Sequence, residues 1–131
     1  MQSALPTPQT LAAALRRHQL VDITTTGRRT GRRIRIEIDS HWVEDTVVIS
    51  GMPGRRDWYA NLIADGRFTF HLKQPFAADL AAVATPITDP AERRRLLEPI
   101  TRAWGASDRI EAFVARSPLV VVAFPDLAVA A

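Results

Sequence analysis

The feature that most constrains the fold is a series of six short segments with the alternation or β-branched composition of strands. Most connections between them are shorter than the dozen or more residues that a parallel crossover needs, so the sheet is expected to be mainly antiparallel. A six-stranded sheet with one buried face tends to curl and close. The sequence therefore predicts an α+β fold, a small and mostly antiparallel β-barrel flanked by short helices. The predicted strands are residues 21–26, 34–38, 46–51, 68–73, 78–87 and 118–124.

Alternation of apolar and polar residues assigns the faces of these strands. The second segment carries isoleucine at every second position, with Arg33, Arg35 and Glu37 on the opposite face, which is expected to be solvated. In the fifth segment the alternation slips between Leu80 and Val83, which predicts a β-bulge.

Helices are predicted at four places, of which the first two lie in the N-terminal half. Residues 10–19 form the first helix, because apolar residues recur four apart. Residues 58–65 form the second. Asp57 is expected to cap its N-terminus, and Gly66 stands where a C′ glycine would end it.

The motif DPAE starts the third predicted helix. Asp89 is expected to be the N-cap, Pro90 the first helical residue, and Glu92 the partner in an acidic capping box. Pro99 falls inside the helix and should kink or split it. Ser107 is predicted to cap the fourth helix.

Composition limits the class of protein. With 131 residues, 47% of them apolar, the chain is expected to form a single domain over residues 1–131, with residues 1–19 as an N-terminal helical extension. The absence of cysteine excludes disulfides, thiolate metal sites and a cysteine nucleophile. No segment approaches the roughly 20 apolar residues of a membrane span. We therefore expect a cytoplasmic protein.

Four arginines, Arg28, Arg29, Arg32 and Arg33, lie between the first two strands, in the stretch TTTGRRTGRRIRIEID. The net charge is +3, and of the 17 basic residues only Lys73 is a lysine. Arginine pairs with phosphate and carboxylate through a rigid fork of donors. The flanking glycines allow successive N–H groups to point at one anion. The turn is therefore either a solvated hairpin tip or an anion site.

Further features of the sequence favour the anion site. Arg55 and Arg56 precede the second predicted helix, whose free N–H groups and dipole also attract an anion. Thr26 and Thr30 add hydroxyl donors. Asp57 acts against this interpretation, because its carboxylate competes for the same helix donors.

Other functional classes find little support in the residues. Neither a Walker A motif nor GxGxxG is present, and no basic strand is interleaved with aromatic residues, so nucleic acid is not expected as a partner. His18, His41 and His71 are scattered, with no HExxH pair and no carboxylate at ligand spacing, so no metal site is expected. There is no GxSxG elbow, and no residue is identified as catalytic.

The stretch WYANL has two interpretations. Trp58 and Leu62 lie four residues apart, which is typical of a helix facing the core. Alternatively, Trp58 covers a flat ring system from the first turn of the helix, and Asn61 donates to a ring carbonyl one turn further on.

The motif TTTGRRTGR, then a strand that ends in a serine–glycine loop, then DWYANLIADGRFTFHLK resembles the deazaflavin-dependent nitroreductase family. These proteins are small split-β-barrel oxidoreductases, related to the flavin-binding pyridoxamine-phosphate-oxidase superfamily. The resemblance covers about residues 20–75. It implies a fold similar to the FMN-binding split barrel.

The resemblance also implies a cofactor, the 8-hydroxy-5-deazaflavin called coenzyme F-420, which carries a phosphate and an oligoglutamate tail. By match to the family motif, Arg28, Arg29 and Thr30 would hold that tail. Ser50 and Gly51 would lie against the deazaflavin and donate from their backbone.

The helix motif of the family places Trp58, Tyr59 and Asn61 at the edge of the cofactor. Many members have a proline and then an arginine after the second glycine of the turn. Here the first of those two positions is occupied by Arg33. Arg35 is therefore the candidate for the role of the family's arginine.

The implied activity is transfer of a hydride from the reduced coenzyme to a small, electron-poor acceptor such as a quinone, a nitroaromatic or an enone. The protein would supply orientation and electrostatics. The alternatives are an FMN-binding split-barrel reductase and a non-catalytic protein that binds the cofactor or an apolar ligand. Related barrels often pair through exposed sheet surface, so a homodimer is one expected arrangement.

Overall fold

The computed structural model describes residues 6–127 of the chain. Within these residues the helices and strands follow one another in the predicted order, with no long irregular connection between them. In chain order they are α1 (Pro8–Leu15), β1 (Gln19–Thr26), β2 (Arg33–Val43), β3 (Thr46–Ser50), α2 (Asp57–Ala64), β4 (Arg67–Leu72), β5 (Ala78–Pro86), α3 (Pro90–Ala103), a 3-10 helix (Ser107–Arg109), α4 (Ile110–Arg116) and β6 (Leu119–Ala123).

The six strands form one closed barrel in the order β1-β2-β3-β6-β5-β4. Every pair is antiparallel, including the closing pair β1–β4. The predicted α+β fold, a split β-barrel flanked by short helices, is confirmed. The long β1–β2 hairpin is held in register by pairs such as Ile23 with Ile36 and Val21 with Ile38.

The barrel interior is the larger of two hydrophobic clusters. Every second residue of each strand points inward, as the period of a strand requires. Helix α2 contributes Trp58 and Leu62 to this cluster, and α1 contributes Ala14 and Leu15. The two short helices therefore depend on the same core that closes the barrel.

The second cluster lies outside the barrel, where α3 and α4 cover β3 and β6. Leu97, Ile100 and Phe113 from the helices pack against Val48 and Leu119 from the strands. All five side chains are at most 1% exposed. Sheet residues on both faces of β3 and β6 are thus buried, which explains the uniformly apolar composition of these two strands.

Arg93 on α3 is buried beneath this second cluster, although nothing in its local sequence predicts it. Its guanidinium donates to the carbonyl oxygens of Ile87 (2.8 Å), Val114 (2.7 Å), Phe113 (3.2 Å) and Ser117 (2.6 Å). Three of these carbonyls belong to the C-terminal end of α4, where the helix dipole favours a cation. Arg93 therefore satisfies the end of α4 and ties it to α3.

Helix α1 does not have its predicted limits of residues 10–19. The helix begins at Pro8, because Thr7 and Thr10 cap each other's backbone N–H groups at 3.1 and 2.8 Å and Pro8 occupies the first helical position. It ends at Leu15, because Gln19 already belongs to β1. The prediction overlooked this threonine cap.

Neither end of α2 is formed as predicted. Arg56, and not Asp57, is the N-cap residue, and no side chain caps the helix there. A Cβ atom on Gly66 would lie 2.6 Å from the carbonyl oxygen of Ala84, so the glycine is needed because two backbones approach closely. It is not a left-handed C′ glycine, since its φ lies outside the left-handed region.

Predictions for the C-terminal half are partly corrected. Asp89 does cap α3, accepting from the backbone N–H of Glu92 at 3.0 Å. Pro99 does not split α3, which is continuous from Pro90 to Ala103. Ser107 is not a cap, because it begins a 3-10 helix whose N-cap, Ala106, has no side-chain hydrogen bond.

The predicted bulge in β5 is absent. The pairing with β4 runs without a break from Arg67 opposite Val83 to Leu72 opposite Ala78. Small alanines occupy both faces of β5, and this made regular alternation look like a slip in the sequence.

His41 on β2 is buried between the barrel wall and α3. Its ring is 3% exposed, lies edge-on to Trp104 with ring centroids 5.1 Å apart, and stacks on His18 at 4.4 Å. Burial, and secondarily the neighbouring His18, lowers the pKa of His41 to about 4 from 6.5. The imidazole is therefore neutral in the folded protein at neutral pH.

None of the helices between residues 6 and 127 is long and apolar enough to cross a membrane.

Replacing Gly66 with alanine should destabilise the protein by about 3 kcal/mol, because the new methyl group meets the Ala84 carbonyl on β5. Urea unfolding measures the loss. Gly105→Ala is the matched control, since Gly105 has φ +66° but open space around it, and should cost only about 1 kcal/mol. Equal effects of the two substitutions would contradict the close approach at Gly66.

Acidification should destabilise the fold through His41. The unfolded chain takes up a proton near pH 6.5 and the folded chain only near 4, so stability is complete above 6.5 and falls as the pH drops towards 4. This amounts to about 3 kcal/mol over that range. Urea unfolding across this range should show a shallower pH dependence for His41→Gln. A variant with the same slope as the wild type would show that His41 is not responsible.

Candidate functional site

The connection between β1 and β2 is a tight, closed turn. The backbone N–H of Gly27 donates to the Arg32 carbonyl at 2.7 Å, and that of Gly31 donates to the Gly27 carbonyl at 2.8 Å. Gly31 has φ +73°, a left-handed conformation that favours glycine. The Thr30 hydroxyl accepts from the N–H of Arg32 at 3.2 Å. The backbone is thus fixed internally, and the arginine side chains are left on the outside.

Asn61 of α2 holds this turn against the barrel. Its amide oxygen accepts from the backbone N–H of Arg28 at 3.1 Å and from the Arg28 guanidinium at 2.9 Å. Its amide nitrogen donates to the hydroxyl of Thr25 at 3.3 Å. Asn61 is 2% exposed, so both of its polar atoms are used within the protein. Its role in the structure is to position the turn. The amide nitrogen uses one of its two N–H groups for Thr25, and the contact with a ring carbonyl stays a prediction.

The turn and the first residues of β2, here called the arginine turn (residues 27–33), present a cationic surface. Arg29 and Arg32 are exposed and contact no acidic side chain within residues 6–127. Arg33 donates to the hydroxyl of Thr69 at 3.0 Å. Arg28 makes a longer contact of 3.4 Å to Asp57, whose side chain is 90% exposed. Most of this positive charge is therefore available to a ligand.

The N-terminus of α2 lies beside the arginine turn, since Arg28 contacts both Asp57 and Asn61 of that helix. Asp57 was expected to compete for the helix donors, but no side chain caps them. Arg56 instead folds back onto the preceding loop and donates to the carbonyls of Arg55 (2.8 Å) and Met52 (3.2 Å). Free N–H groups and guanidinium groups thus occur side by side, a donor set suited to an anion.

Ser50 and Gly51 end β3 at the same end of the barrel as α2. The Ser50 hydroxyl is 2% exposed and donates to the Pro118 carbonyl at 2.6 Å, so it is not available to a ligand. A Cβ atom on Gly51 would lie 3.3 Å from the Pro118 ring and 3.9 Å from the Trp58 ring. Contacts from these two residues to a ligand would have to come from the backbone, as the sequence motif implied.

Trp58 and Tyr59 share the first turn of α2 but differ in exposure. Trp58 is 9% exposed and belongs to the barrel core together with Leu62, which supports the core-facing interpretation of this motif. Tyr59 is half-buried, and its ring lies edge-on to Trp58 at 5.8 Å. Tyr59 is therefore the more accessible aromatic residue beside the arginine turn.

Arg35 belongs to an ion-pair network on the outer face of β1, β2 and β4. It donates to Asp22 at 2.9 Å, and Lys73 bridges Asp22 at 2.6 Å and Glu37 at 2.7 Å. The hydrogen bond from Lys73, and then that from Arg35, holds the pKa of Asp22 below its usual range. Arg35 is thus already neutralised by the protein, unlike Arg29, and is the weakest of the predicted ligands to an anion.

A hydrogen-bonded chain links three side chains that no sequence motif groups together. The Thr24 hydroxyl lies 2.6 Å from Nε2 of His71, and Nδ1 of His71 lies 2.7 Å from a carboxylate oxygen of Asp79. His71 was expected to be isolated. The pairing of β4 with β1 and β5 brings the three residues together, since His71 stands directly opposite Asp79. Strand register is the signal that would have predicted it.

A mainly apolar groove lies at the other end of the barrel. It has a volume of about 340 Å³, and its lining includes Leu15, Trp42, Val47 and Phe124 beside the polar residues Arg16, Asp45 and Thr46. The length of β2, 11 residues, separates its Trp42 wall from the arginine turn, roughly 30 Å along the strand. The groove and the cationic surface are therefore separate features.

The chain is similar to proteins of known family and fold. A family model described as F420H2-dependent quinone reductase matches residues 7–125. No curated protein matches the chain.

Solved structures share the fold at low sequence identity. A conserved hypothetical protein from Mycobacterium tuberculosis has a TM-score of 0.70 and 12% identity, over 92% of this chain and 81% of that chain. An F420-H2 dependent reductase, FDR-A, has a TM-score of 0.57 and 19% identity, over 79% and 93%. HutZ, the heme storage protein from Vibrio cholerae, has a TM-score of 0.65 and 11% identity, over 88% of each chain. These likenesses show the fold alone.

Replacing Asn61 with alanine should destabilise the protein by about 2 kcal/mol, because the Thr25 hydroxyl and the Arg28 N–H lose a buried partner. Urea unfolding measures the stability, and hydrogen exchange at the Arg28 amide measures the loosening of the turn. Asp57→Ala is the control on the same helix, and its exposed contact to Arg28 should contribute little. Unchanged exchange at Arg28 in the Asn61 variant would contradict the positioning role.

Proposed function

We propose that this chain, which belongs to the F420H2-dependent quinone reductase family, is an oxidoreductase that transfers a hydride from reduced coenzyme F-420 to a small electron-poor acceptor. The family match supports the reaction class, since it extends over residues 7–125. The fold by itself does not, because it is shared with a heme storage protein.

The observation that carries the proposal is the unpaired positive charge of the arginine turn. A phosphate and oligoglutamate tail is a chain of anions, and each anion prefers donors that are charged, rigidly placed and not already neutralised. Arg29 and Arg32 are charged and contact no acidic side chain among residues 6–127, and Arg28 is held in place by Asn61. The residues present therefore fit the tail of the coenzyme.

Individual residues are proposed to divide the binding between tail and ring. Arg28, Arg29 and the Thr30 hydroxyl hold the tail, together with the uncapped N–H groups of α2. The backbone at Gly51 and the accessible ring of Tyr59 orient the deazaflavin at the same end of the barrel. Trp58 supports both from beneath, as part of the core.

When bound, the coenzyme supplies the hydride, and the protein supplies position and electrostatics. The guanidinium groups fix the tail and thereby the register of the ring along the barrel mouth. The apolar core under α2 keeps water away from the inner face of that site. Of the candidate acceptors, the family description favours a quinone over a nitroaromatic or an enone.

We also propose a cellular location and an assembly state. We expect the protein to act in the cytoplasm. A homodimer remains a proposal, supported by the exposed apolar residues Leu20 (53%) and Ile34 (42%) on the β1–β2 hairpin.

Arg29→Ala should weaken binding of coenzyme F-420 about tenfold, which corresponds to the loss of one charge-assisted hydrogen bond. Arg28→Ala should weaken it more, because it also removes the hydrogen bond from the guanidinium to Asn61 and leaves only the backbone bond to hold the turn. Fluorescence titration of the coenzyme measures both affinities. Arg102→Ala is the control, an exposed arginine on α3 whose described ion pair is to Glu98.

Titration with FMN in parallel separates the two cofactors. The wild type is expected to bind coenzyme F-420 more tightly, since FMN has one phosphate and no acidic tail. Tighter binding of FMN, or unchanged affinity of the Arg29 variant for coenzyme F-420, would contradict the proposed site.

A further inference from the structure

His18, Asp39 and His41 form a cluster at the end of the β1–β2 hairpin that lies away from the arginine turn. Their register brings them together. Gln19 pairs with Ser40, so the residue before Gln19 stands opposite the residue after Ser40. Asp39 and His41 are two apart on β2 and therefore point to the same face. The expectation that the histidines are scattered is wrong for this pair.

The side chains of this cluster are close together, but their ligand atoms are further apart than in an occupied metal site. One side-chain ligand atom from each residue lies within 4.8 Å of the others. Nε2 of His18 is 3.5 Å from a carboxylate oxygen of Asp39, and the two imidazole rings are stacked at 4.4 Å with 24° between their planes.

His41 supplies the independent observation. His41 is only 3% exposed, and its Nε2 atom has no hydrogen-bond partner among residues 6–127. A buried polar atom left without a partner costs about 1–3 kcal/mol, so such groups normally have a reason to persist.

We propose that His18, Asp39 and His41 bind a divalent transition-metal ion such as Zn²⁺. Two imidazoles and one carboxylate are borderline ligands that suit zinc, and they do not suit calcium or magnesium, which prefer sets of oxygen ligands. The three residues leave further positions at the metal open to water. This metal site lies about 23 Å along β1 from the arginine turn, so it is separate from the proposed cofactor site.

Binding requires a small rearrangement that the exposure of the residues permits. Ligand atoms on one zinc ion lie about 3.3 Å apart, closer than the upper limit of 4.8 Å found here. His41 is fixed against Trp104, whereas the side chains of His18 and Asp39 are 44% and 31% exposed. His18 is therefore the group that turns its ring out of the stack and towards the metal.

A metal at this position would join the segment before β1 to β2. The segment is otherwise held there by the stacked rings, the His18–Asp39 contact and the guanidinium of Arg16, which lies 5.7 Å from the centroid of the Trp42 ring. The metal would therefore raise the stability of the hairpin end next to α1, because it binds the folded state alone.

The test is a calorimetric titration of the chelator-treated full-length protein with Zn²⁺. One zinc ion per chain is expected to bind and to raise the melting temperature. His18→Ala and Asp39→Asn should each reduce the affinity at least about tenfold. Asp45→Asn, an exposed carboxylate in the next turn at φ +61°, a conformation that asparagine tolerates, is the control and should bind zinc like the wild type.

Side-chain NMR locates the ion independently of affinity. Zinc should shift the imidazole resonances of His18 and His41 and leave those of His71 unchanged. The proposal is overturned if zinc does not bind, if both ligand variants bind it as tightly as the wild type, or if the resonances that shift belong to His71. Circular dichroism of each variant confirms that a loss of binding is not a loss of fold.

Discussion

The candidate site depends on one buried amide. Asn61 accepts two hydrogen bonds from Arg28 and donates one to Thr25, and in doing so it ties α2, the arginine turn and β1 into one unit. Backbone hydrogen bonds close the turn itself, and Asn61 fixes the turn against the barrel. The arginines therefore lie on the outside, beside the free N–H groups of α2.

The barrel keeps the arginine turn apart from the features at its opposite end. The β1–β2 hairpin pairs with β3 at one end and with β4 along the middle of β1, and it carries the arginine turn at the other end. The helices α3 and α4 cover the outer face of β3 and β6, with Arg93 satisfying the end of α4. The apolar groove and the cluster of His18, Asp39 and His41 both lie at the end away from the turn. Changes there can therefore alter stability or metal binding without altering the arginine turn.

Much of the fold could be predicted because it depends on local patterns. Short alternating segments, short connections and glycine at turns predict an antiparallel barrel without any knowledge of contacts, and the structure confirms it. The cap at Asp89 was predictable for the same reason, since a capping motif is read within four residues. The family resemblance named the turn and the α2 motif as the site, and the structure places them in contact.

The errors have a common physical cause, which is that tertiary contacts decide what a local motif does. Gly66 resembles a helix end but is required by the Ala84 carbonyl on another strand. His18 and His41 are far apart in sequence, and only the strand register shows that they face each other. Such pairings need the register, and alternation alone does not supply it.

The arginine turn is proposed to bind the acidic tail of the coenzyme. The most direct test is a thermodynamic cycle that removes the arginines from the protein and the tail from the ligand, separately and together. Affinity would be measured for intact coenzyme F-420 and for its tail-less deazaflavin fragment, with the wild type and with an Arg29→Ala, Arg32→Ala double variant. The wild type is expected to prefer the intact coenzyme strongly, and added salt should weaken this preference. The double variant should lose the preference while still binding the fragment. If the double variant prefers the intact coenzyme as strongly as the wild type does, the tail does not bind at the arginine turn.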